Sequence, residues 1–135
     1  MSGRLLDTHV LLFLALDRSR LSGALIEDLL APEADLYVSA VSAIEIAIKN
    51  SLGKLPLPPP FEIDFPAAFQ TLAQRFSATM IPIQLSSVAR MRVLPLHHRD
   101  PFDRLLISQA MEADLTLVSR DREFRAYEGL KLMSA

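Results

Sequence analysis

Leu36-Tyr37-Val38-Ser39 is a short β-prone run, and Ser42 to Leu52 directly behind it reads as a helix. Gly53 stands where such a helix stops. A strand that feeds a helix within a few residues is the repeating unit of an α/β fold. The same unit recurs on both sides. Arg4-Leu5-Leu6 is an apolar run ending at Asp7, and Val10 to Leu16 and Ser22 to Leu30 come next as helices. Phe65 to Phe76 is an amphipathic helix before a strand at Met80 to Ile83, where Pro82 marks an edge or an end. Ser86 to Val93 is helical. Asp100-Pro101-Phe102-Asp103 opens a helix running to Ala113, with Pro101 in the first helical position. Thr116-Leu117-Val118 is a strand, Asp121 begins a turn or short helix, and Leu130 to Met133 forms a last strand. Between the units, Leu55 to Pro60 reads as an extended loop, because its prolines can neither continue a helix nor join a central strand.

This alternation predicts one α/β domain over residues 1–135 with a mostly parallel sheet. In such sheets, strand C-termini and helix N-termini share one edge, where ligands usually bind.

Composition narrows the function. Fourteen basic and sixteen acidic residues give a net charge of −2, which argues against nucleic-acid binding by bulk positive charge. A metal-dependent nuclease is still allowed. The chain has no cysteine, which excludes disulfides, thiol nucleophiles and Cys-ligated zinc. The early apolar run Val10 to Leu16 is too short to span a membrane and poor as a signal core, so a cytoplasmic protein is the default expectation. The positive mean hydropathy hints at apolar surface that something else covers.

Four acids stand out. Asp7 comes directly after the first strand, Glu45 falls in the first turn of the helix after the second strand, Asp103 opens a helix, and Asp121 lies just past the strand at Thr116 to Val118. The topology sends all four to one edge. Four carboxylates so close repel one another unless a hard divalent cation sits among them, and Mg²⁺ or Mn²⁺ is the natural choice. Each acid also has an ordinary explanation. Asp7 can cap the helix behind it and Asp121 a short final turn, Ser42 with Glu45 fits a capping box, and Asp100 can be an N-cap with Asp103 at N3. Glu45 is least explained by capping. It lies inside Ala43-Ile44-Glu45-Ile46-Ala47-Ile48, where an unpaired carboxylate is costly.

Lys49, Arg104, Arg120 and Arg122 flank the acids and read either as helix-face ion pairs or as phosphate contacts, with Lys49 a local partner of Glu45. Ser119 can hydrogen-bond a carboxylate or serve as a turn hydroxyl, and Thr8 stands beside Asp7 in the same supporting position. His97-His98 reads as a polar turn before the Asp100 helix. Phe61, Phe65, Phe69 and Phe76 read as core or interface rather than base-stacking platforms.

On four of these stretches the chain resembles PIN-domain ribonucleases, specifically the VapC-like toxins of type II toxin–antitoxin pairs. The similar segments are Leu5-Leu6-Asp7-Thr8-His9, Ser42 to Lys49 leading into Leu52-Gly53-Lys54-Leu55, Leu96 to Leu106 with its Asp-Pro-Phe-Asp-Arg-Leu-Leu core, and Leu117-Val118-Ser119-Arg120-Asp121. Their order matches and they span nearly the whole chain. The resemblance implies a three-layer α/β/α sandwich with four to five strands. It implies a Mg²⁺-dependent endoribonuclease with catalytic and metal-binding roles on Asp7, Glu45, Asp103 and Asp121. It also implies a homodimer and a cognate VapB-like antitoxin that blocks the site. Ser119 departs from the Thr more usual there but keeps the hydroxyl. Two other classes compete: a catalytically silent binding module of the same fold, and an aspartyl phosphotransfer domain. The latter needs acid pairs near the first strand that Asp7-Thr8-His9 lacks.

Overall fold

The computed structural model describes residues 3–135. Leu5 and Leu6 are both fully buried but belong to different hydrophobic clusters, because neighbouring residues of a strand point to opposite faces. The strands are β1 (Arg4–Leu6), β2 (Leu36–Ser39), β3 (Thr79–Ile81), β4 (Thr116–Ser119) and β5 (Leu132–Ser134). They pair in the order β3-β2-β1-β4-β5, and every neighbouring pair is parallel. The expected sheet is therefore present, with five strands.

Among the described residues seven α-helices cover it: α1 (Thr8–Leu16), α2 (Gly23–Leu30), α3 (Ala40–Ser51), α4 (Pro59–Ile63), α5 (Phe65–Arg75), α6 (Leu85–Arg92) and α7 (Pro101–Glu112). On one face, Leu6, Leu36, Val38 and Val118 pack with Val10, Leu11 and Leu14 of α1, Leu29 of α2 and Phe69 of α5. On the other, Leu5 and Leu117 pack with Leu105, Leu106, Ile107 and Ala110 of α7, and with Phe124 and Tyr127. The result is a three-layer α/β/α sandwich. Helix α3 contributes Ile46 to one core and Val41 to the other, so it bridges the two layers at the sheet edge.

Two expectations need correction. Helix α3 starts at Ala40, capped by Ser39, whose hydroxyl accepts from Val41 N at 3.0 Å. Ser42 is thus inside the helix and Glu45 lies in its second turn, so no capping box forms there. The proline segment is not wholly extended either. Pro59 and Pro60 begin α4, because a proline lacks only an N–H that the first turn leaves unbonded anyway. Phe69 and Phe76 are buried as core, and the Phe65 ring stacks on Phe69 at 6.3 Å between centroids.

β1 and β4 are adjacent, yet the chain leaves them for helices on opposite faces, α1 after β1 and a 3₁₀ turn (Arg122–Ala126) after β4. This reversal opens a crevice at the strand C-termini. No helix among the described residues is long and apolar enough to cross a membrane.

Candidate active site

The crevice is built around Asp7. Its backbone N–H donates to Val118 O at 3.0 Å, continuing the β1–β4 ladder by one rung. The chain then turns into α1 with Asp7 as its N-cap, and Oδ1 accepts from Thr8 N at 2.7 Å. Oδ2 accepts from the buried Ser119 hydroxyl at the end of β4, also at 2.7 Å. Ser119 Oγ in turn accepts from Asp121 N at 3.0 Å. One hydroxyl therefore fixes two of the expected acids.

Glu45 is reached through Thr8. The buried Thr8 hydroxyl donates to Glu45 Oε1 at 2.7 Å and lies 2.9 Å from Ser42 Oγ. Burial pushes the Glu45 carboxyl above its ordinary range. The Thr8 hydrogen bond and, at longer range, Lys49 oppose this, and Asp7 and Asp100 add to it. Among the described residues no ion pair joins Lys49 to Glu45.

Asp103 sits at N3 of α7, behind the N-cap Asp100, which accepts from Phe102 N at 2.8 Å. Burial, then the charges of Asp100, Asp7 and Glu45, push Asp103 up to about 7, while His98 pulls it down. Asp100 caps as expected, but its charge also acts on both Asp103 and Glu45.

Asp121 caps the 3₁₀ turn, Oδ1 accepting from Glu123 N at 2.9 Å. Its other oxygen faces His98 Nε2 at 3.0 Å. His98 is not in an open polar turn. It is buried, its ring tilted against Phe124 and stacked on Tyr127. One ligand atom from each of His98, Asp103 and Asp121 lies within 4.8 Å of the others. Asp7 and Glu45 adjoin this trio, and their charges act directly on Asp103.

The donor set suits a hard divalent cation. It is rich in carboxylate oxygen, and burial together with the charges of Asp100, Asp7 and Glu45 disfavours the ionised form of Asp103, a penalty that a cation offsets.

The family model for the PIN domain matches residues 4–130. The chain belongs to the PIN-domain family. Among curated proteins, no sequence relative was found. Solved structures resemble this PIN domain along its whole length. A chain of VapBC2 from Rickettsia felis, bound to a promoter DNA fragment, has a TM-score of 0.72 at 16% identity and covers 98% of both chains. DNA-bound VapBC from Salmonella typhimurium gives 0.68 at 14% identity, covering 99% of this chain and 98% of that one. VapBC-5 from Mycobacterium tuberculosis gives 0.63 at 13%, covering all of both chains. At these identities the likeness is one of fold.

The basic residues of this PIN domain divide. Arg104 is buried, and its guanidinium donates to the carbonyls of Pro95 (2.8 Å), Met91 (2.8 Å) and Leu94 (3.2 Å). It ties the end of α6 to α7, and three of its five N–H donors are taken up by these carbonyls. Arg120 is exposed, lies over the Phe13 ring at 4.8 Å and donates to Arg20 O. Arg122 is exposed at the start of the 3₁₀ turn.

Proposed function

We propose that this chain is a metal-dependent endoribonuclease toxin that hydrolyses RNA phosphodiester bonds and is inhibited by a cognate VapB-like antitoxin. The observation that carries the reading is the meeting of Asp7, Glu45, Asp103 and Asp121 at the strand C-termini, with burial and mutual repulsion raising the pKa values of Glu45 and Asp103. Asp7, Asp103 and Asp121 would hold Mg²⁺, or Mn²⁺ in its place. When bound, the ion supplies charge neutralisation at the phosphate and acidity to a coordinated water. The protein's own part is orientation. Ser119 fixes Asp7, Thr8 fixes Glu45, and the second oxygen of Glu45 orients the attacking water. Exposed Arg120 and Arg122 contact phosphates beside the centre, with Lys49 adding positive charge behind Glu45.

The antitoxin reading draws support from an apolar groove of about 440 Å³ between α1, α3, α4 and α5, lined in part by Leu12, Leu16, Ile46, Leu57, Phe61 and Leu72. An apolar helix suits such a groove. The exposed residues Ile44 and Ile48 of α3 and its C-cap Leu52, spaced about one turn apart, support a homodimer. The working compartment is the cytoplasm, where RNA and antitoxin are found together.

Purified protein incubated with cellular RNA tests this. Cleavage in Mg²⁺, none in EDTA, and a loss of about a hundredfold or more in Asp7→Asn is the expected result. Undiminished cleavage by Asp7→Asn would remove Asp7 from the mechanism.

A further inference from the structure

We infer that His98 is a positioning residue that holds Asp121 by an Nε2–H bond and does not itself ligate the metal. The inference rests on the metal-site reading and adds a role that the sequence did not show.

The assignment comes from counting protons. Tyr127 Oη accepts from the His98 backbone N–H at 3.1 Å and lies 3.1 Å from His98 Nδ1. Tyr127 is buried, and among the described residues Nδ1 is the only acceptor in reach of its phenolic hydrogen. The phenol therefore donates to Nδ1, which must be unprotonated. In the neutral ring the proton then sits on Nε2, aimed at Asp121 Oδ2 3.0 Å away. The opposite tautomer fails twice. It leaves the phenolic hydrogen without an acceptor, and it sets the Nε2 lone pair against a carboxylate oxygen.

An Nε2 that carries a proton has no lone pair for a metal. His98, Asp103 and Asp121 thus divide into two ligands and a holder, although their ligand atoms cluster within 4.8 Å. Asp121 is gripped on both oxygens, Oδ1 by Glu123 N at 2.9 Å and Oδ2 by His98, and each oxygen keeps a lone pair for a cation. Fixing a ligand carboxylate in this way is worth about ten- to a hundredfold in metal affinity. Phe124 and Tyr127, packed on the imidazole, keep the ring from rotating away.

Nitrogen-15 NMR of the His98 ring in the wild-type protein reads the tautomer directly, with and without Mg²⁺. Protonated Nε2 and bare Nδ1 in both states are expected. Protonated Nδ1, or loss of the Nε2 proton when Mg²⁺ is added, would overturn the assignment. Free Mn²⁺ counted by electron paramagnetic resonance then reads the consequence. His98→Ala should weaken Mn²⁺ binding about ten- to a hundredfold, and His98→Gln, which keeps an N–H near Nε2, should stay within about threefold of wild type. Equal loss in both folded variants, or no loss in either, would overturn the positioning role. Neither readout uses RNA, so a protein that fails to cleave RNA can still pass, and an active ribonuclease can still fail.

Discussion

Ser119 Oγ donates to Asp7 Oδ2 at 2.7 Å across the β1–β4 pair, joining residues 112 positions apart at the point where the chain reverses direction across the sheet. The same oxygen receives Asp121 N at 3.0 Å. The end of one strand thereby sets the direction of two acids.

Ser119→Ala should cost stability and metal affinity together. A buried carboxylate loses a donor and a backbone N–H loses its acceptor, about 1–3 kcal/mol in all. Urea unfolding should show that loss, and Mn²⁺ titration should show about tenfold weaker binding. Unchanged affinity in the folded variant would mean that Asp7 needs no such anchor.

Asp103 makes stability depend on pH. Its carboxyl rises from 3.8 to about 7 on folding, mainly through burial. The folded chain therefore binds the extra proton between these values. The group's contribution is fully present below the unfolded value and is lost as pH rises through the folded one. Asp103→Asn should raise Tm at pH 8 by about 3–10 °C and change it little at pH 4. Mg²⁺ should raise the wild-type Tm at pH 8 more than at pH 5, because the ion must displace that proton. Thermal melts at the two pH values check both statements.

Arg104→Lys should unfold more easily by about 2–4 kcal/mol, since one ammonium cannot satisfy the carbonyls of Met91, Leu94 and Pro95 together. RNA affinity measured on the folded variant should stay within about twofold of wild type. A large loss of affinity at unchanged stability would restore Arg104 as a phosphate contact.

Much of this was readable in the sequence, and the reasons are local. Asp7 and Asp121 come after apolar strand runs, and Asp100-Pro101 announces a helix start, so periodicity and capping chemistry place them. Capping and site duty also proved compatible. Asp7, Asp100 and Asp121 each cap a helix or turn and each take part in the acidic cluster, because helix N-termini and strand C-termini share the edge. The α3 start was misplaced because Ser39 and Ser42 are both good caps three residues apart. Ser39 prevails since β2 runs into it, paired with Ile81 of β3. His98 and Arg104 were illegible for a different reason. His98 is buried by Phe124 and Tyr127 from the far side of β4, and Arg104 by carbonyls at the end of α6. No local pattern carries such contacts.

The central claim is that the four carboxylates act as one divalent-cation site, and a Mn²⁺ binding isotherm at pH 8 tests it most directly. The account predicts saturable binding by the wild-type chain, weakened about tenfold or more in each of Asp7→Asn, Asp103→Asn and Asp121→Asn. Folded variants that all bind Mn²⁺ as tightly as the wild type, or a wild-type chain that binds none, would contradict it.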